Sequence, residues 1–212
     1  MSEEKELFEK IYENLEEVPW NFEKPHDEFI GLIESGKIKP CKALDIGCGT
    51  GSYSIYLASK GFDVAGIDTS ENAIKIAKTK AAEAGVSCIF LKMDWEDLDK
   101  LKEKFDFIFD WRFFQEIIEK ERRKKYVELV KKLLNNGGKY LSVSHSEKTR
   151  LWGKGKIRTP PIGTTLYFAS MEELEVLFRH SFKILEKKEI KLLSRGSGWV
   201  AANYLFMEKS SV

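Results

Sequence analysis

Residues 44–51 read LDIGCGTG, and the fold turns on how that stretch is understood. An apolar run carrying Asp45 passes into Gly47, Gly49 and Gly51, a glycine at every second position. KALDI before the glycines predicts a strand, and SYSIYLASK after them predicts a helix stopped at Gly61. The glycines therefore occupy a strand-to-helix bend. Glycine lets the backbone turn sharply there and lets a ligand approach without meeting a Cβ.

The same alternation continues outward. DVAGID predicts a second strand, and Ser70 can cap a helix through NAIKIAKTKAAEA to Gly85, with CIFLK as a third strand. WEDLDKLKEK is a short helix or turn before FDFIFD, a strand apolar enough to be buried on both faces. EKERRKKYVELVKKLL carries one apolar stripe, NNGG predicts a turn, and KYLSVS is a fifth strand. Ser170 and Glu173 form a capping box that opens SMEELEVLF. FKILEKKEI and VAANYLFMEK then follow one another across the SRGSG loop with no helix between them, so they should pair antiparallel. The expected architecture is α/β: a Rossmann-like, seven-stranded, mainly parallel sheet, helices on both faces and a C-terminal antiparallel strand.

At 212 residues the chain suits one structural domain, read as an N-terminal helical cap (1–40) and a main body (41–212) with a loop insert at 145–169. In the cap, Leu7, Phe8, Ile11 and Leu15 mark one helix, and a second is predicted over Glu28–Ser35. A net charge of +1 does not point to nucleic acid or to a membrane surface. The acidic first 18 residues lack the pattern of a signal peptide, and no apolar run reaches membrane-spanning length. Cys41, Cys48 and Cys88 form no CxxC pair and, with three histidines, show no metal-ligand spacing. The expectation is a cytoplasmic protein without a metal.

What the loop holds follows from its neighbours. The dinucleotide fingerprint is GxGxxG, whereas this loop is GxGxG, with Ser52 at the remaining position. Asp45 just before the first glycine suits an ammonium better than a pyrophosphate. S-adenosylmethionine carries that ammonium and no phosphate. Asp68, about 20 residues beyond Gly47, sits where an acid can accept from ribose hydroxyls. Asp94 and Trp95 end the third strand, where a carboxylate can meet an adenine amino group beside an aromatic ring, and Asp110-Trp111 end the fourth. Four successive strands thus deliver a carboxylate to the edge where open α/β sheets bind ligands.

On these stretches the chain resembles a class I S-adenosylmethionine-dependent methyltransferase: LDIGCGTG matches the family's first motif, GIDTS its second, MDWEDL its third and FDFIFDW its fourth. The resemblance implies S-adenosylmethionine as cofactor and S-adenosylhomocysteine as product. It implies cofactor contacts from Trp20, Asp45, Gly47, Gly49, Gly51, Asp68, Thr69, Asp94, Trp95 and Asp110. VPWNFEKPHDEF is similar to the Pro-Trp-Asp segment of small-molecule thiol, thiopurine and halide methyltransferases, although Asn21 stands at the aspartate. Related enzymes carry a His-His pair after the fourth motif, and here Gln115-Glu116 stand there.

Trp111, Arg112 and His145 are the expected substrate-facing residues, on a small soluble S, N or O acceptor; no catalytic base is identified. Two alternatives stay open: an RNA or protein methyltransferase docking through the basic 148–158 loop around Trp152, and a cofactor-binding protein without catalysis. His180 reads as a helix-end residue and Cys48 as a small filler in the loop. Oligomeric state is not readable from these features.

Overall fold

A computed structural model describes residues 3–16, 18–194, 196 and 198–210, with backbone alone for 3–5. Arg195 and Ser197 of the SRGSG loop lie outside the described residues. Helices α1 (Glu3–Ile11) and α2 (Asp27–Glu34) precede an alternating body. That body runs β1 (Lys42–Ile46), α3 (Ser52–Ser59), β2 (Asp63–Asp68), α4 (Glu71–Glu83) and β3 (Ile89–Lys92). It continues through β4 (Phe105–Trp111), α5 (Lys120–Leu133) and β5 (Leu134–His145). A two-stranded ribbon, β6 (Ile157–Arg158) and β7 (Leu166–Tyr167), follows, then α6 (Met171–Phe178), β8 (Phe182–Ser194) and β9 (Gly198–Lys209).

The seven-stranded sheet has the order β3-β2-β1-β4-β5-β9-β8. β1 through β5 pair in parallel, and β9 runs antiparallel between β5 and β8. The order reverses between β1 and β4, so a crevice opens above their carboxyl ends. The capping box at Ser170 and Glu173 forms, and Ser70 caps α4 by accepting from the Ala73 amide.

Three local readings differ. α1 stops at Ile11, so Leu15 lies beyond the helix that its spacing predicts, because the chain turns there to lay Tyr12 and Trp20 over the sheet edge. NNGG is no free turn but part of β5: the β4 ladder shifts register between Phe105 and Phe107, and Gly137 takes φ +73°. The final two strands are longer than predicted, since backbone pairing runs on from Lys191–Ala201 to Ser194–Gly198.

Side chains alternate across the sheet with period two. On β4, Phe107 and Phe109 pack with Phe29, Leu57 and Val143 beneath α2 and α3. Ile108 faces the opposite layer, with Tyr126 of α5, Tyr140 and Phe178 of α6. That alternation decides where the two residues ending β4 go.

Candidate active site

One cavity of about 1100 Å³ lies over the carboxyl ends of β1, β2, β4 and β5, roofed by residues 8–14, 19–27 and the 152–166 loop. At one end stand Asp45, Gly47, Gly49, Asp68 and Thr69, with Asp94 and Trp95 beside them. At the other stand Tyr53, Trp111, Arg112, Gln115, His145 and Trp152.

The polar groups of the first end are held by the fold itself. Ser54 Oγ of α3 donates to the buried Asp45 carboxylate at 2.7 Å. Burial pushes the Asp45 carboxyl up to about 7 against the Ser54 bond, with Asp68 and Asp110 adding repulsion. Asp68 accepts from the Gly49 amide and from the Ser70 amide, both at 2.9 Å. Burial raises its carboxyl while those amides pull it down. The Thr69 amide also favours the charge, and the carboxylate keeps acceptor capacity for a hydroxyl. Asp94 accepts from the Glu96 amide at 2.9 Å and opens the 3₁₀ turn Trp95–Lys100. The Trp95 ring stands edge-on to Tyr126 and under the Arg122 guanidinium.

The glycines serve the protein as well as the crevice. A Cβ on Gly49 (φ +52°) would meet the Tyr12 hydroxyl at 2.8 Å, and that hydroxyl accepts from Trp20 Nε1 at 3.0 Å. Gly51 (φ +80°) is absent from the cavity wall. A Cβ there would meet Phe90 at 2.8 Å and Ala77 at 3.0 Å, so this glycine lets α4 and β3 close on the loop. The structure thus gives Gly51, expected from the sequence as a cofactor contact, a packing role.

Asp110 also departs from expectation. It is fully buried, does not line the cavity, and accepts from Tyr126 at 2.9 Å, from Ser142 at 3.0 Å and from the Tyr140 hydroxyl. Burial lifts its carboxyl to about 6 although all three hydroxyls favour the charge. The cause is the pleat: Asp110 points beneath α5, and Trp111, one residue on, points to the opposite face. Trp111 lies against Tyr53 (centroids 5.1 Å, 30°) and His26 (5.6 Å, 33°), with Phe29 edge-on.

Arg112 takes φ +69°, sends Nη1 to the Leu193 carbonyl at 3.2 Å, and keeps a buried Nε without a partner among the described residues. Burial lowers its guanidinium to about 10, opposed by Tyr53 and Glu116. His145 is 1% exposed, its amide donates to Gln115 Oε1 at 2.9 Å, and its ring packs on Phe168 and Trp152. Burial, reinforced by Arg112 and Arg158, holds the imidazole well below its usual range, hence neutral.

The basic insert is mostly committed. Arg158 is buried, lies over Phe168 and donates to the Thr149, Gly155 and Glu147 carbonyls. Lys148 pairs with Glu189 at 2.7 Å and Lys156 with Glu173 at 2.6 Å. Beyond His145, what the insert gives the cavity is Trp152, Pro160, Pro161, Ile162, Thr164 and Leu166. Tyr12, Tyr53 and Gln115 escaped sequence reasoning as wall residues. The apolar spacing around Phe8 and Ile11 was a usable signal for Tyr12, and nothing comparable marked Tyr53. Among the described residues no His, Cys, Asp and Glu cluster could hold a metal ion, and no helix is long and apolar enough to cross a membrane.

A doubly wound sheet with a glycine bend and an acid at each following strand end defines a binder of a nucleoside-bearing cofactor. A methyltransferase-domain family model matches residues 43–138. A 2-heptyl-1-hydroxyquinolin-4(1H)-one methyltransferase of Mycobacteroides abscessus is 32% identical over 124 residues, 58% of this chain and 54% of the relative. A probable thiol methyltransferase 2 of Arabidopsis thaliana is 33% identical over 130 residues, 59% of this chain and 55% of the relative. The chain thus spans about half the length of these curated relatives. A solved structure concerned with conversion of a disulfide bond into a thioacetal group during echinomycin biosynthesis has the same fold, with a TM-score of 0.79 at 21% identity, covering 97% of this chain and 93% of that one. Residues 43–138 thus match a methyltransferase domain, and the fold is that of solved S-adenosylmethionine-dependent methyltransferases.

Proposed function

We propose that the chain transfers the methyl group of S-adenosylmethionine to a sulfur, nitrogen or oxygen atom of a small molecule. The observation that carries this reading is the continuity of the cavity. Its volume of about 1100 Å³ exceeds the range of roughly 300–1,000 Å³ usual for a single drug-sized ligand, and it joins the glycine bend to an aromatic chamber. Bound cofactor supplies an electrophilic methyl on a sulfonium. The residues present fit it: Asp68 keeps acceptor capacity for a ribose hydroxyl, Asp94 and Trp95 offer an acceptor and a ring to adenine, and Asp45 offers an anion to an ammonium. Gly47, Gly49, Thr69 and Trp20 would line the cofactor, and Trp111, Arg112 and His145 the acceptor. Enclosure by Trp20, Trp111 and Trp152 excludes water and fixes the line of attack, which is where most of the rate would come from.

The names of the two curated relatives, a hydroxyquinolone and a thiol methyltransferase, support a small heteroatom acceptor. The ion pairs of Lys148 and Lys156 and the burial of Arg158 reduce the charge that the insert can offer RNA. Three free cysteines suit a cytoplasmic setting.

Calorimetric titration with S-adenosylmethionine, S-adenosylhomocysteine and NAD, followed by a labelled-methyl acceptor screen, tests the proposal. Both adenosyl ligands should bind and NAD should not. Asp68→Ala should weaken them about 10- to 100-fold, the value of one or two charge-assisted hydrogen bonds. Binding of NAD alone, or of none of the three, overturns the assignment.

A further inference from the structure

The hydrogen bonds around His145 fix which of its nitrogens carries the proton. The His145 backbone amide can only donate, so the Gln115 atom facing it at 2.9 Å is the carbonyl oxygen Oε1. The Gln115 amide nitrogen, a donor, is thereby turned to His145 Nε2 at 3.5 Å. Nε2 must accept, and in a neutral ring the proton then resides on Nδ1. His145 Nδ1 is buried and has no partner among the described residues. The buried Nε–H of Arg112 is a second unanswered donor in the same wall. His26, against Trp111 on the far side of the chamber, is arranged in the opposite sense. Its Nδ1 accepts from the Glu28 amide at 3.2 Å, and its Nε2 donates to the Lys191 carbonyl at 3.0 Å.

We propose that His145, locked as the Nδ1–H tautomer by Gln115, is a hydrogen-bond donor to the methyl acceptor, and that with Arg112 it selects an acceptor that enters as an anion on a planar ring. This rests on the methyltransferase reading above. The chemical class is the conjugate base of an acidic aryl thiol or aryl hydroxyl. Its ring lies among Tyr53, Trp111 and Trp152, and its charged atom meets the Arg112 and His145 donors. The anion's lone pair forms the new bond to the methyl carbon while the carbon–sulfur pair returns to sulfur. Anion and sulfonium thus become two neutral products, and no proton is left for the protein to take. Such a step needs no general base, and the unanswered donors serve to bind and orient the anion in line with the methyl group. Gln115 is a positioning residue, acting through His145.

The test uses the full chain labelled with ¹⁵N-histidine, at pH 8, with and without S-adenosylhomocysteine. Long-range proton–nitrogen spectra should show His145 as Nδ1–H and His26, the internal reference, as Nε2–H. An Nε2–H or doubly protonated His145 overturns the proposal. Gln115→Glu places a carboxylate opposite Nε2 and should move His145 to Nε2–H or to the imidazolium, a change that a merely structural glutamine would not produce. With S-adenosylhomocysteine bound, 4-nitrothiophenol, ionised at this pH, should bind at least about tenfold more tightly than neutral 4-nitroaniline. Gln115→Glu should erase that preference and leave S-adenosylhomocysteine affinity within about twofold. Equal binding of the two probes to the wild type overturns the selection. If S-adenosylhomocysteine itself fails to bind, the methyltransferase reading is at fault, while the tautomer remains readable. If Gln115→Glu does not fold, the wild-type tautomer and the probe pair decide.

Discussion

The two ends of the cavity are built on different terms. Over β1, β2 and β3, each carboxylate that lines the crevice already has a partner from the fold: Ser54 for Asp45, the Gly49 and Ser70 amides for Asp68, the Glu96 amide for Asp94. Over β4, β5 and the 152–166 loop, Arg112 Nε, His145 Nδ1 and Thr164 Oγ1 are buried without partners among the described residues. Arg112 and Trp152, the non-glycine residues at positive φ among those described, stand at this same end. An unanswered buried donor costs about 1–3 kcal/mol and left-handed backbone about 1–2 kcal/mol more, so a fold keeps such features where a ligand repays them. The end proposed for the cofactor has its polar groups satisfied by the fold, whereas the end proposed for the acceptor keeps donors unanswered.

That contrast can be broken most forcefully at Asp110, which touches neither end. Asp110→Ala leaves the Tyr126, Tyr140 and Ser142 hydroxyls without their buried acceptor. A loss of about 3–5 kcal/mol in unfolding free energy is expected, read by urea denaturation. Affinity of the surviving folded protein for S-adenosylhomocysteine should be unchanged. A large affinity loss at full stability would return Asp110 to the cofactor.

The second probe is pH. The Asp45 carboxyl is raised to about 7 and that of Asp110 to about 6, against 3.8 unfolded. Between the unfolded and folded values the native state binds more protons than the unfolded one. The contribution of both groups to stability is therefore largest at low pH and declines as pH rises through about 6 and 7. An ammonium placed beside Asp45 would reverse this for that one group. Binding of S-adenosylhomocysteine near pH 6 should then release close to one proton, read from calorimetry in buffers of differing ionisation enthalpy. Affinity should rise up to about tenfold per pH unit until pH 7 and then level off. Affinity flat across that range would remove Asp45 from the ammonium.

The smallest effect is expected from Lys148→Ala with Lys156→Ala. Exposed pairs of this kind contribute little, so melting temperature and S-adenosylhomocysteine affinity should not move measurably. Salt-sensitive binding of tRNA by the wild type, lost in the double variant, would revive docking through the insert.

Much of the cofactor end could be read in one dimension because its signals are local. A bend needs glycine, a strand that leads to it needs apolar residues, and Asp45, Asp68 and Asp94 lie within a few residues of their strand ends. Asp110 shows the limit of the same logic. It lies one residue from the end of its strand, where Asp68 is the last of its own, and the pleat points it under α5 toward two tyrosines that lie 16 and 30 residues further on. Arg158 fails similarly: its charge suggested a solvent-facing loop, but it is spent on carbonyls of its own loop. Gly51 sits on a left-handed turn that the GxGxG pattern anticipates, while its close approach to Phe90 depends on how β3 packs.

By itself, then, the sequence determined the alternation of strands and helices, the doubly wound sheet, the glycine bend and the acids around it, since periodicity and turn chemistry act over a few residues. Only the tertiary structure decided that Tyr12 and Trp20 close over that bend, that Gln115 turns the ring of His145, and that Trp111 rather than Asp110 reaches the chamber. Those outcomes depend on which side of a strand a residue takes and on contacts between residues distant in the chain, neither of which a local pattern encodes.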